Sequence, residues 1–255
     1  MSATSETGVP ELSDAAIWQQ VEFGSYGADL PLWVELAEAA GGPVLELGAG
    51  AGRVSLHLAG HGHEVIALER DPELAAELPR AAERAGAKLS VVDLDLASPA
   101  DLRLPAEPSL VIGPLHVIQV LDGASRPALL ARLRELVAPG ATIALTVVDE
   151  STLLSAGASA TQILPDMREI DGWVFSSEPL WVQVGDDALN VRRIRQRVSP
   201  EGAVEKAVHD ELLMRVSPER LELEAEDVGL TPVGHRQISS GPNEADSVAV
   251  LLEAR

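Results

Sequence analysis

The stretch Val44-Leu45-Glu46-Leu47-Gly48-Ala49-Gly50-Ala51-Gly52-Arg53 has the pattern of a short apolar strand that enters a glycine loop and then a helix. Glycines let a backbone turn tightly and approach a ligand where a Cβ atom would clash. The dinucleotide-binding pattern G-x-G-x-x-G would require glycine at position 53, where this chain has arginine. The spacing is instead E-x-G-x-G-x-G, which disfavours a nicotinamide oxidoreductase.

From the glycine loop to about residue 148, short apolar runs alternate with helical patterns. Near-continuous apolar runs are typical of parallel strands covered on both faces, and they lie at 44–47, 65–68, 89–92, 109–112 and 142–148. Asp71-Pro72-Glu73 supplies an N-cap, a first-turn proline and a first-turn acid for one of the intervening helices. The alternation predicts an α/β fold with a Rossmann-like, doubly wound mixed sheet.

The regions that flank this core have different patterns. Amphipathic stretches at 13–21 and 29–40 predict an N-terminal helical cover. After residue 148, alternating runs separated by turns predict an antiparallel meander, at 172–184, 188–198 and 203–214. We therefore expect the N-terminal helices and cofactor-binding core at 1–150, an inserted β-rich lid at 151–215, and the last helix and strands of the core at 216–255.

Composition restricts the classes of function. A net charge of −21 argues against a nucleic-acid or anionic-membrane partner, because phosphate binding depends on clustered Lys and Arg. The chain has no cysteine, so disulfides, thiolate metal sites and cysteine nucleophiles are impossible. No apolar run has the length of a membrane span, and residues 1–12 lack the apolar stretch of a signal peptide. We expect a cytoplasmic protein.

The glycine loop and its acidic partners resemble those of class I methyltransferases that use S-adenosylmethionine. In that family the loop cradles the amino-acid end of the cofactor, and acids after the second and third strands bind the ribose hydroxyls and the adenine amino group. Glu69 and Asp93 occupy those two places. The resemblance covers residues 26–150 well and the final helix and strands loosely. It implies S-adenosylmethionine as cofactor, bound by Tyr26, Glu46, Gly48, Ala49, Gly50, Arg53, Glu69, Arg70, Asp93, Leu94, Gly113 and Leu115.

The residues at the end of the fourth strand restrict the classes of molecule that could accept the methyl group. They read Gly113-Pro114-Leu115-His116. This segment lacks the Asn/Asp-Pro-Pro-Tyr/Phe run of methylases that act on adenine or glutamine amino groups, and it lacks the carboxylates by which catechol-type enzymes hold magnesium. We therefore expect a small-molecule acceptor and no metal site. His116 is the candidate general base, although a core or cofactor-contacting histidine would show the same pattern.

Four residues are candidates for acceptor contacts: Tyr26, His116, Trp173 and Trp181. The Tyr26 hydroxyl could lie near the reacting centre, or the ring could fasten the N-terminal helices. The two tryptophans lie on the predicted lid, where an aromatic wall for the acceptor is possible. The sequence is compatible with a monomer or a homodimer.

A row of arginines also lies on the predicted lid. Strand alternation places Arg193, Arg195 and Arg197 on one face. The row could bind a carboxylate or phosphate on the acceptor, or it could form cross-strand pairs with Glu205, Asp210 or Glu211. We favour the pairing.

These observations together predict transfer of a methyl group from S-adenosylmethionine to an O, N or C nucleophile on a small molecule, including secondary metabolites, by direct displacement. Two alternatives use the same cofactor. One is a cyclase or rearrangement enzyme of methyltransferase fold, and the other is a non-catalytic cofactor-binding protein.

Overall fold

The computed structural model describes residues 10–151, 164–240 and 245–255. A sheet of seven strands forms the centre, in the order β10-β11-β5-β4-β1-β2-β3. Its strands are β1 (Val44–Leu47), β2 (Val65–Glu69), β3 (Leu89–Asp93), β4 (Leu110–Gly113), β5 (Thr142–Val148), β10 (Leu230–Ile238) and β11 (Ser247–Ala254). The helices are α1 (Asp14–Phe23), α2 (Leu30–Ala40), α3 (Arg53–Gly60), α4 (Pro72–Ala85), α5 (Ser125–Leu136) and α6 (Pro218–Asp227).

The central sheet is parallel from β3 to β5 and becomes antiparallel at β11 and β10. Every residue of β1, β2 and β4 is buried, as expected for parallel strands covered by helices on both faces. The strand order reverses between β1 and β4, and ligands of open α/β sheets bind beyond the carboxyl ends of the strands at such a point. The fold class predicted from the apolar runs is confirmed.

Local sequence signals set several helix ends. Asp71 caps α4, because its carboxylate accepts hydrogen bonds from the backbone N–H groups of Glu73 and Leu74, and Pro72 occupies the first helical position. Ser13 and Ser217 cap α1 and α6 in the same way. No helix within the described ranges combines the length and the apolar character that a membrane crossing requires.

A second, antiparallel sheet is inserted after β5. It contains β6 (Asp166–Ile170), β7 (Trp173–Val184), β8 (Ala188–Val198) and β9 (Val204–Met214), paired in chain order. One face packs on α1, where the Trp18 and Phe175 rings meet edge to face with centroids 5.6 Å apart. The sequence indicates three of these strands but not β6, because in β6 only Met167 and Ile170 are apolar and they do not alternate with polar residues.

Candidate functional site

The glycine loop after β1 is packed too closely for side chains. Gly48, Gly50 and Gly52 have φ values of 64°, 57° and 89°, in the left-handed region that favours glycine. A Cβ atom on Gly48 would lie 2.6 Å from Val117 Cγ2, and one on Gly50 would lie 2.8 Å from Gln19 Oε1. The loop therefore exposes bare backbone between α1 and the short 3-10 helix Val117–Val120.

A buried carboxylate at the end of β2 fixes the shape of this loop. Glu69 Oε2 accepts a 2.7 Å hydrogen bond from the Gly50 N–H, and Oε1 accepts bonds of 2.9 and 2.8 Å from the N–H groups of Arg70 and Asp71. Asp93 lies directly opposite Glu69 in the β2–β3 register and is exposed. The two predicted acids therefore meet at the carboxyl edge of the sheet.

Glu46 is a second buried acid, on β1 below the loop. It is 2% exposed and accepts a hydrogen bond from the Ser55 hydroxyl of α3. Burial raises the pKa of Glu46 to about 7, although the Ser55 bond and the nearby Arg53 charge act in the opposite direction. Near neutral pH the Glu46 carboxyl is therefore close to its pKa, and a positively charged ligand bound beside it would favour its ionised form.

Arg53, the first residue of α3, joins the N-terminal helices to the loop. Its Nη1 and Nη2 atoms donate 2.7 Å hydrogen bonds to the two oxygens of buried Asp29. Its guanidinium lies 5.0 Å from the centre of the Tyr26 ring, and the Trp33 indole donates a 2.9 Å bond to Asp29. The Arg53 Nε atom is buried and has no hydrogen-bond partner among the described residues.

Sequence reasoning did not single out Asp29. The available signal was its spacing four residues before Trp33, which puts both side chains on one face of α2. The sequence contains no comparable sign that Arg53 would reach it, because the two residues are 24 positions apart.

The chain turns sharply after β4. Leu115 and His116 have φ values of 48° and 61°, an uncommon conformation for two successive residues with side chains. Thr146 holds this turn: its hydroxyl donates to the Gly113 carbonyl and accepts from the His116 N–H, both at 2.9 Å. The turn places Pro114 and Leu115 beside the glycine loop, in the lining of the same cleft.

The His116 side chain points toward the antiparallel side of the sheet. Its Nε2 atom lies 2.7 Å from the hydroxyl of Ser247 on β11. Burial lowers the pKa of His116 to about 4, so the imidazole is neutral at physiological pH and a weak base. A catalytic role for His116 stays a prediction.

A cleft of about 380 Å³ lies beyond the carboxyl ends of β1 and β4. Six of the predicted site residues line it: Tyr26, Glu46, Gly48, Ala49, Arg53 and Leu115. The others border it or lie along the same edge of the sheet: Gly50, Glu69, Arg70, Asp93, Leu94, Gly113 and His116. A larger cavity of about 490 Å³, between α1, α4 and the β6–β7 turn, contains none of the predicted residues.

The two candidate tryptophans of the inserted sheet do not line the cleft. Trp173 packs on Phe175 with ring centroids 6.4 Å apart, beside the α1 cluster. Trp181 is 37% exposed, and the Arg192 guanidinium lies 4.9 Å from its ring centre. The inserted sheet instead contributes Arg168, which sequence reasoning did not indicate.

The arginine row of β8 fastens α1 to the inserted sheet. Arg195 forms two hydrogen bonds to Glu22 of α1, at 2.8 and 2.7 Å, while Arg193 binds Asp166 and Ser177. Arg197 pairs with Glu205 across the sheet and with Asp14 of α1. Of the expected cross-strand pairs the row forms only the one with Glu205, and Asp210 pairs with Arg192 on the opposite face.

We expect Arg195→Ala to lower the free energy of unfolding by about 2 kcal/mol, because it leaves the buried Glu22 without its main partner. Burial opposes ionisation of Glu22, but the bonds and charge of Arg195, with Ser177 and Arg193, outweigh burial and lower the Glu22 pKa. Arg197→Ala is the control, since its pairs are exposed and should contribute less than about 1 kcal/mol. Urea denaturation measures both, and equal losses would contradict the assignment.

Comparison with known proteins agrees with this geometry. Residues 44–140 match the family model described as "Methyltransferase domain". A ribosomal RNA adenine N-6-methyltransferase from Corynebacterium diphtheriae is 33% identical over 86 residues, which are 33% of this chain and only about a third (32%) of that protein.

Solved structures resemble the whole chain. The sugar N-methyltransferase from Streptoalloteichus has a TM-score of 0.70 at 16% identity, and the match covers 98% of this chain and 97% of that one. The S-adenosylmethionine-bound amino pentose methyltransferase of calicheamicin biosynthesis from Micromonospora echinaspora has a TM-score of 0.66 at 14% identity, over 95% and 99% of the two chains. An S-adenosylmethionine-dependent methyltransferase from Clostridium acetobutylicum scores 0.69 at 12% identity, over 94% and 96%.

Residues 44–140 therefore match a methyltransferase domain, and the architecture of the chain is similar to that of solved S-adenosylmethionine-dependent methyltransferases. The family, enzyme class and cofactor predicted from the glycine loop agree with these matches.

Proposed function

We propose that this protein transfers the methyl group of S-adenosylmethionine to an amine of a small molecule by direct displacement. One observation carries the proposal: the cleft at the carboxyl edge joins the bare glycine loop, buried Glu46, Arg53 and the sharp turn after β4, which contributes Pro114 and Leu115. Bound there, the cofactor supplies an electrophilic methyl group on a positively charged sulfur.

The residues present fit this cofactor. The backbone at Gly48 and Gly50 leaves no room for side chains, as a cradle for the amino-acid end requires. The orphaned Arg53 Nε atom suits a carboxylate, and the Glu46 carboxyl suits a positive group. Glu69 and Asp93 are neighbours at the ends of β2 and β3, and we assign them to the ribose and the adenine.

The chemistry of the cleft favours an amine over a hydroxyl. Activating a hydroxyl requires an effective base, whereas His116 lies outside the cleft lining and has a pKa lowered to about 4 by burial. An amine with a free lone pair needs only positioning, which itself accounts for large accelerations. The solved neighbours named as amino pentose and sugar N-methyltransferases support the same acceptor class.

The match to an RNA methyltransferase does not favour an RNA acceptor. It spans a third of each chain, and this chain has Gly113-Pro114-Leu115-His116 where base-amino methylases have Asn/Asp-Pro-Pro-Tyr/Phe. The net charge of −21 opposes a phosphate backbone.

We expect Asp93→Ala to weaken binding of S-adenosylhomocysteine about ten- to a hundredfold, because the variant would lose a charge-assisted hydrogen bond to the adenine amino group. Asp93 is exposed, so the variant should fold normally. Glu64→Gln is the matched control, since Glu64 is also exposed but precedes β2 at the opposite edge. Titration calorimetry measures the affinities. Unchanged affinity in Asp93→Ala, or tight binding of NADH by the wild type, would reject this arrangement.

Product analysis separates the rival activities. Incubation with S-adenosylmethionine and a panel of small amines and amino sugars should yield S-adenosylhomocysteine and methylated amine in equal amounts. A cyclase would convert its substrate without consuming S-adenosylmethionine, and a non-catalytic protein would bind the cofactor without turnover.

A further inference from the structure

One positive charge in the cleft comes from the inserted sheet. Arg168 on β6 lines the cleft together with residues of α1 and the glycine loop. It pairs in register with Phe175, whose side chain is buried against α1. Arg168 therefore belongs to the face of the inserted sheet that is turned toward the core.

Among the described residues, Arg168 has no acidic partner, unlike the other arginines of the inserted sheet. Arg192, Arg193, Arg195 and Arg197 each have a carboxylate oxygen within hydrogen-bonding distance. Within the described ranges, Arg168 makes a single polar contact, a 3.5 Å bond to Gln20 Oε1, and no ion pair. The chain has 40 acidic residues and only 19 Lys and Arg, so a shortage of carboxylates does not explain this.

A partly buried arginine without an acidic partner destabilises the folded protein when no ligand is bound. Partial burial of a charged guanidinium without a counterion is unfavourable. Its planar N–H groups match the oxygens of a carboxylate or phosphate. The free donors of Arg168 are therefore suited to an anion that enters the cleft.

The backbone opposite Arg168 is adapted to its position. A Cβ atom on Gly24 would lie 3.1 Å from Arg168 Nη2 and 2.4 Å from the Gln20 carbonyl oxygen. Glycine at position 24 therefore leaves room for Arg168 Nη2 to lie close to the end of α1.

The cofactor does not account for this charge. Arg53, the residue that directly follows the glycine loop, already has an Nε atom without a partner among the described residues, and it is the arginine expected to serve the amino-acid end of the cofactor. Arg168 lines the same cleft but belongs to the inserted sheet, which lies outside the matched methyltransferase domain. We propose that Arg168 binds a carboxylate or phosphate group of the methyl acceptor, so that the acceptor is an anionic small molecule. This inference rests on the proposed function.

Binding of simple anions tests the site. Protein saturated with S-adenosylhomocysteine would be titrated with inorganic pyrophosphate and with malonate at constant ionic strength, and binding followed by calorimetry. We expect at least one anion to bind the wild type at least tenfold more tightly than Arg168→Gln, with Arg168→Lys between them. The preferred anion distinguishes a phosphate from a carboxylate on the acceptor. Arg192→Gln, on the outer face, is the matched control and should bind like the wild type.

The outcomes separate this inference from the proposed function. Equal anion binding by wild type and Arg168→Gln overturns it, and so does a tenfold loss of S-adenosylhomocysteine affinity in Arg168→Gln, which would assign Arg168 to the cofactor. Failure of the wild type to bind S-adenosylhomocysteine would instead reject the proposed function. Arg168 has no ion pair to lose among the described residues, so Arg168→Gln should melt within a few degrees of the wild type.

Discussion

Asp29→Ala should destabilise the protein by about 3–5 kcal/mol and abolish measurable cofactor binding, since removing one partner of a buried ion pair typically costs this much. The substitution leaves the Arg53 guanidinium partly buried without its carboxylate, and it leaves the Trp33 indole N–H without an acceptor. Arg53 would then be free to leave the cleft, so binding should suffer beyond the loss of stability.

Urea denaturation and calorimetry with S-adenosylhomocysteine measure the two effects. Asp14→Ala is the matched control, because Asp14 pairs with Arg197 at 3.2 Å between exposed side chains and should contribute no more than about 1 kcal/mol. Asp29→Asn retains an acceptor for Trp33 but not the charge, and should give an intermediate loss. If Asp29→Ala were as stable as Asp14→Ala, the buried pair would not be what joins α2 to α3.

Glu46→Gln should change how stability depends on pH. In the unfolded chain Glu46 loses its proton near its ordinary pKa of 4.5, whereas in the fold burial holds the pKa at about 7. Between these values the folded chain binds more protons than the unfolded chain, so its stability falls as pH rises and stays reduced above pH 7. The penalty is of order 3 kcal/mol.

Because the glutamine of the variant has no proton to lose, Glu46→Gln should match the wild type near pH 4.5 and be the more stable protein at about pH 8, by up to about 3 kcal/mol. Denaturation at both pH values measures this, with exposed Glu64→Gln as the control that should leave the pH dependence unchanged. Wild-type affinity for S-adenosylhomocysteine should rise from about pH 6 to about pH 8 as Glu46 ionises, and the variant should lack that rise. Parallel pH profiles for the two proteins would contradict the buried-acid assignment.

Local sequence determined the core of this protein. Several signals in the core act on residues close to them in the sequence. They are the apolar strands of suitable length, Asp71 and Pro72 at the start of α4, and the spacing of Gly48, Gly50 and Gly52. Parallel register then brings strand ends together, so the sequence is sufficient to place Glu69 and Asp93 at one edge of the sheet. These features follow from periodicity and backbone geometry, which short sequences encode.

Only the tertiary structure determined which charged residues pair around the cleft and which one is left without a partner among the described residues. Arg53 could have met any of many acids, and only the packing of α2 on α3 brings it to Asp29. The arginines of β8 were expected to pair mainly within their own sheet, yet Arg195 meets Glu22 on α1, 173 residues away. The sequence did not indicate Arg168, because β6 has no alternation of apolar and polar residues. Arg168 is distinguished by having no acidic partner among the described residues, and only the packed structure shows this. Ion pairing depends on distances between elements remote in sequence, and the residue pattern of one element does not contain those distances.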